Sequence, residues 1–95
     1  MAGLDPLIHA PARLQVMTTL SAVSEAEFAT LREALEVSDS VLSKHLSALA
    51  AAGYVRLRKG ALSGRRTTWI SMTGNGRKAL RGHVTALRQM IDLVD

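Results

Sequence analysis

Residues 38–53 read Ser38-Asp-Ser-Val-Leu-Ser-Lys-His-Leu-Ser-Ala-Leu-Ala-Ala-Ala-Gly53, and how this stretch folds decides the rest. Ser38 is a favourable N-cap, Asp39 sets a carboxylate in the first helical turn, and Gly53 offers a left-handed stop. Between them Leu42, Leu46 and Leu49 share one helical face at spacings of four and three. Ser40, Lys44 and Ser47 lie opposite, with Ser43 beside them. An ordinary solvated helix mixes Glu, Gln and Lys on its outer side; this one carries short hydroxyls and one cation. Short donors let a helix approach another surface closely, and the lysine makes an anionic surface the expected one. A DNA major groove has both properties. The plainer alternative is an amphipathic helix with a serine-rich exposed side.

The flanks turn this helix into part of a motif. Upstream, Ser24 and Glu27 have capping-box spacing for a helix running to about Leu35, with Phe28, Leu31 and Leu35 inward and Glu25, Arg32 and Glu33 in water. The connection Glu36-Val37-Ser38 is short, so residues 25–53 read as a helix-turn-helix with 38–53 as its second helix. Further upstream, Asp5 can cap a short turn with Pro6 at its first helical position, and Pro11 restarts a helix with Leu14, Met17 and Leu20 inward. His9, set among apolar residues, reads as a packed or partly exposed side chain.

Downstream of Gly53 the period changes from 3.6 to 2. Tyr54-Val-Arg-Leu-Arg58 alternates, with Val55 and Leu57 inward and Arg56 and Arg58 outward. Lys59–Arg66 supplies two glycines and a basic tip, and Thr67–Met72 alternates again, with Ile70 and Met72 inward and Trp69 on the other side. An antiparallel hairpin over 54–72 that follows a helix-turn-helix is a wing, whose tip sets Arg65 and Arg66 against phosphate or in a minor groove. Two solvated arginines on a loop are the alternative. Thr73 can cap a last helix over 74–94, although Gly74-Asn75-Gly76 weakens its first turn. Along that helix Leu80, Val84, Leu87, Ile91 and Val94 step by four, three, four and three, the stripe of a helix that pairs with a partner. Packing on its own domain is the competing reading. Met90 and the apolar Leu4, Leu7 and Ile8 complete the expected dimer interface.

Charge distribution selects the partner. Residues 1–39 hold two arginines against six acids, whereas residues 40–91 hold ten Lys or Arg and no acid. Such a segment repels itself unless a polyanion is bound, and its cations are dispersed over several elements, unlike a membrane-binding helix. The 95 residues suffice for a single domain, and 47% hydrophobic content is enough to fold. The absence of Cys excludes disulfides and thiolate metal sites and fits a reducing cytoplasm. No membrane span and no signal-peptide pattern is present.

The segment Val37–Val55 resembles the small winged-helix transcription regulators of the MarR and ArsR type, in which Ser, a variable residue, His and Leu precede Leu, Gly, an aromatic or aliphatic residue and Val. Trp69-Ile-Ser-Met-Thr-Gly-Asn-Gly76 is similar to the segment that closes the wing in MarR-like regulators. The likeness covers about residues 14–90 and implies a mostly helical α+β winged helix with a two-stranded wing and a C-terminal dimerisation helix. It also implies a homodimer on a palindromic operator, with Ser40, Ser43 and Lys44 at the groove and His45 near the backbone. Full MarR proteins carry more helical sequence at both ends, so this chain is closer to a stand-alone winged-helix domain. The expected DNA-contacting residues are Ser38, Ser40, Ser43, Lys44, His45, Ser47, Arg56, Arg58, Arg65, Arg66, Thr67, Arg77 and Lys78. The expected dimer contacts are Leu4, Leu7, Ile8, Leu80, Val84, Leu87, Met90, Ile91 and Val94. No cofactor or metal is expected; a zinc site between His9 and His83 requires the terminal helices to meet and lacks further ligands near His83. An effector molecule is left unassigned. The reading is thus a sequence-specific double-stranded DNA-binding regulator, a cytoplasmic homodimeric repressor. A winged-helix protein–protein module and a non-regulatory architectural DNA binder are the alternatives. No nucleophile or phosphate-loop signature points to an enzyme.

Overall fold

The structure, a computed structural model, describes residues 4–94. The chain runs α1 (Pro6–His9), α2 (Pro11–Ser21), β1 (Ala26–Glu27), α3 (Phe28–Leu35), α4 (Asp39–Ala51), β2 (Val55–Leu62), β3 (Arg65–Met72) and α5 (Gly74–Val94). Both prolines open helices, where a missing N–H costs nothing. Asp5 caps α1, its Oδ1 accepting from the N–H of Leu7 at 2.9 Å and of Ile8 at 3.3 Å.

The start of α3 differs from the expected Ser24 capping box. Ala26 and Glu27 instead form a short strand beside β3, with Ala26 opposite Ile70 and Glu27 opposite Trp69. Glu27, left extended by that pairing, is itself the N-cap, its carboxylate accepting from the N–H of Ala29 at 3.0 Å and of Thr30 at 3.4 Å. The sheet therefore has three antiparallel strands in the order β1-β3-β2.

Residues 38–55 form as their sequence predicts. Glu36 turns the chain in the left-handed region, φ 55°, and Ser38 Oγ accepts from Val41 N–H at 3.2 Å. Leu42, Leu46 and Leu49 are buried, against Met17 and Leu20 of α2, Leu31 of α3 and Ile70 of β3 in one core. The helix ends in a Schellman motif: Tyr54 N–H reaches Leu49 O and Gly53 N–H reaches Ala50 O, each at 2.9 Å, with Gly53 at φ 79°.

The hairpin is longer than its sequence suggests. Residues 59–66 are not a loop: β2 and β3 stay paired from Val55–Met72 to Leu62–Arg65, and only Ser63-Gly64 turns, with φ 51° and 80°. Positive φ at both positions is the two-residue turn that matches strand twist. Gly60 is a strand residue whose missing side chain makes room, since a Cβ there would lie 3.0 Å from Trp69 Cδ1. Leu57 lies opposite Ile70 on the core side of the sheet, yet it is 41% exposed, because β2 is an edge strand and the core lies beneath β3.

Thr73 opens α5, its Oγ1 accepting from Gly76 N–H at 3.0 Å and donating to Gly53 O at 2.6 Å. The buried face of α5 is Gly76, Leu80, His83 and Ala86, offset from the apolar stripe. Two expected dimer contacts are consumed by the chain's own core as a result: Ile8 is 0% and Leu80 7% exposed. Val84, too, packs partly on that core. Beyond Leu87 the helix leaves the body, and Met90, Ile91, Leu93 and Val94 are exposed along a molecule 51 Å long and 25 by 21 Å across. No helix among the described residues is long and apolar enough to cross a membrane.

Candidate nucleic-acid interface

Burial of the three leucines turns the other side of α4 to solvent. Ser40, Ser43, Lys44 and Ser47 are all exposed there. Ser38 belongs to this end of the helix, but its hydroxyl is occupied by the cap and lies 3.2 Å from Ser40 Oγ. Asp39 would repel a phosphate; Arg32 Nη1 donates to its Oδ1 at 2.7 Å and neutralises it. His45 sits half-buried at the edge of the face, where its Nδ1 accepts from Arg13 Nε at 3.2 Å. Burial first, and the Arg13 and Lys44 charges next, hold His45 below the usual histidine range.

The wing divides its cations between two faces. Alternation puts Arg65 on the side of Thr67 and Trp69, and Arg66 on the side of Thr68 and Lys59, so the tip is not one arginine cluster. Arg56, Lys59, Arg65 and Arg66 are all exposed, as are Arg77 and Lys78 in the first turns of α5. Two expected contacts are otherwise engaged. Arg58 is held by Glu25, which lies 33 positions earlier, with Nε to Oε2 at 3.0 Å and Nη2 to Oε1 at 2.9 Å, and it lies over the Trp69 ring. The hydroxyl of Thr67 donates to Glu27, so it is spent on the body of the domain.

Asp5, Glu25, Glu27 and Asp39 are thus used internally. Glu25 is lowered by its bonds from Arg58, and Glu27 by its bond from Thr67 and by the α3 N–H groups. Partial burial pushes the Asp5 carboxyl up, but the Tyr54 hydroxyl at 2.5 Å and the α1 N–H groups together outweigh it and hold it below the usual range. Among the described residues Arg58 is the sole ion-paired cation of residues 40–91. Lys59 and Arg13 lie outside the expected contacts: Lys59 is legible as part of the basic run, whereas nothing local marks Arg13. The structure does bring His9 and His83 together, rings edge-on with centroids 5.4 Å apart. No group of three or more metal-ligating side chains occurs among the described residues.

A long exposed helix face, a basic two-stranded wing beside it and a projecting last helix define a winged-helix nucleic-acid binder. The model of the winged helix DNA-binding domain family matches residues 12–91, and the chain belongs to that family. An uncharacterized protein of Methanocaldococcus jannaschii is 29% identical over 84 residues, spanning 88% of this chain and 91% of that one. The structure of a transcriptional regulator homologue from Pyrococcus horikoshii superposes with a TM-score of 0.88 at 25% identity, over 94% of this chain and 88% of that chain. A MarR family transcriptional regulator from Silicibacter pomeroyi shares the fold, with TM-score 0.70, 20% identity and coverage of 87% of this chain and 54% of that chain.

Proposed function

We propose that the chain is a homodimeric repressor that reads a palindromic promoter site through α4 and holds the flanking phosphates through its wing. The observation that carries this reading is the pairing pattern of charge. Glu25, Glu27 and Asp39 are engaged by Arg58, Thr67 and Arg32, while Lys44, Arg56, Lys59, Arg65, Arg66, Arg77 and Lys78 enter no ion pair among the described residues. They flank a helix face of exposed serines that can enter a groove without steric obstruction. Lys44 is suited to guanine O6 and N7, and Ser40, Ser43 and Ser47 to neighbouring base edges. The exposed apolar end of α5 supports pairing with a second copy, which places two α4 helices about one DNA turn, roughly 34 Å, apart. Repression then follows from occupying the promoter.

The test is selection of bound duplexes from a random pool, followed by gel retardation at two salt concentrations. The expected outcome is an inverted repeat with half-sites about 10 base pairs apart and an affinity that falls steeply with salt. Enrichment of no sequence, with binding retained, would leave a non-specific architectural binder; absence of binding would remove DNA as the partner.

A further inference from the structure

His45 stands where the groove face of α4 meets the body, one residue beyond the exposed Lys44. Arg13, the third residue of α2, points its guanidinium across to it: Nε donates to His45 Nδ1 at 3.2 Å, and Nη1 donates to Leu7 O at 3.4 Å. A ring nitrogen that accepts carries no proton, so the neutral imidazole has its hydrogen on Nε2. Among the described residues His83 Nε2 is the one buried, unpartnered side-chain polar atom; His45 Nε2, which bonds to no described residue, is therefore not sealed from solvent. Arg13, unlike Arg32, has no carboxylate partner among the described residues.

We propose that Arg13 is a positioning residue for DNA binding, fixing His45 with its Nε2–H outward so that the two side chains clasp one backbone phosphate beside α4. The proposal rests on the DNA-binding reading above. His45 contributes a neutral hydrogen bond, and Arg13 contributes the charge. Protonation of His45 would turn Nδ1 from acceptor to donor against the Arg13 N–H and set two cations side by side. The charged groups facing the ring are Arg13 from α2 and Lys44 from α4 itself. No carboxylate from β2 or any other described element bonds it, so nothing favours the imidazolium. Burial works in the same direction. The clasp then stays intact at neutral pH and adds one ion, not two, to the salt dependence.

The experiment measures affinity of the full chain for a rhodamine-labelled mixed-sequence duplex against pH and salt. Wild-type affinity is expected to change by less than about twofold between pH 8 and pH 6. Arg13→Met should bind more weakly at pH 8, with the slope of log K against log salt lower by about one. It should recover in part as the pH falls from 8 to 6, by about twofold, because without the Arg13 charge the ring takes a proton more readily even though burial still opposes it, and Arg13→Met with His45→Gln should lack that recovery. His45→Ala should weaken binding at unchanged salt slope, and His45→Gln, which keeps an N–H donor, should restore part of the loss. A role for Arg13 that is only structural predicts a flat pH profile in Arg13→Met and is the result that overturns the proposal. So does ¹⁵N NMR of the wild type if His45 at pH 7 carries its proton on Nδ1 or on both nitrogens. That spectrum and the His45 slopes decide the matter even if Arg13→Met does not fold. A wild type that binds no duplex, while its ring shows the Nε2–H form, defeats the DNA-binding reading and leaves the Arg13 lock standing as a fold contact, which overturns the clasp.

Discussion

Arg58 and Glu25 meet in a two-bonded ion pair, 3.0 and 2.9 Å, that ties the middle of β2 to the segment entering β1. The guanidinium lies 5.8 Å from the centre of the Trp69 ring, so one side of the wing is braced against the body. An arginine engaged in this way has little left for DNA, while Arg65 and Arg66 at the tip are unpaired.

The wing cations should therefore separate by salt titration. Arg65→Ala with Arg66→Ala is expected to lower the slope of log K against log salt by about two, whereas Arg58→Ala should leave it within about half a unit. Glu25→Gln, which frees Arg58, should raise the slope by about one. Equal losses from Arg58→Ala and the tip pair would show that the ion pair opens on DNA.

Two glycines of α5 should respond to alanine with opposite signs. A Cβ on Gly76 would sit 2.1 Å from Tyr54 O, a backbone atom fixed by its bond from Thr73 N–H at 3.0 Å. Gly76→Ala should cost about 3 kcal/mol or more, because the helix must shift off the sheet. Gly82 meets nothing within 4 Å, so Gly82→Ala should stabilise by about 0.5–1 kcal/mol through helix propensity. Urea unfolding curves of the two variants check both values.

His83 should make stability depend on pH. It is 0% exposed; its Nδ1 accepts from Asp5 N–H at 3.0 Å, and its Nε2 has no partner. Burial first and His9 next hold it below the usual histidine range, with Asp5 opposing them. The unfolded chain therefore binds a proton that the folded chain refuses, and folding is favoured above about pH 6.5. Below that value stability should fall by up to about 1.4 kcal/mol per pH unit, with His45 adding to the loss in the same direction. His83→Leu should lie within about 1 kcal/mol of the wild type at pH 7.5, since an orphan donor and a hydrogen bond are lost together. At pH 5 it should be the more stable of the two. Parallel pH profiles for both proteins would contradict the assignment.

The projecting end of α5 should set the assembly state. Ile91, Leu93 and Val94 are 62, 79 and 89% exposed, and covering residues of this kind is worth roughly 1.5–3 kcal/mol each. At micromolar concentration the wild type is expected at twice the 10.2 kDa of one chain, and Ile91→Glu with Val94→Glu at the single mass with its helix content retained. A wild-type monomer would remove the dimer; a dimeric double variant would move the interface to the half-buried Leu4 and Leu7.

What the sequence determined by itself was local. The Ser38 cap, the leucine face of α4, the Gly53 stop and the Thr73 cap depend on residues within a turn or two of each other, and the covalent chain holds such partners close. The serine face of α4 follows from the same periodicity, because burying Leu42, Leu46 and Leu49 leaves Ser40, Lys44 and Ser47 no other side. Tertiary structure decided the matters that need partners far along the chain. Glu27 became a strand end and a cap because β3 lay beside it, and Lys59–Leu62 continued a strand through pairing with Arg65–Thr68, with Gly60 leaving room for the Trp69 ring. Leu80 went to the core because α5 presents a face offset from its apolar stripe, the face on which Gly76 approaches Tyr54 closely, and Ile8 went to the same core from α1. The pairing of Arg58 with Glu25 and of Arg13 with His45 likewise joins residues 33 and 32 positions apart. Charge and periodicity announce that cations and a helix face exist, but which of them stay free for a partner is settled by what folding brings against them.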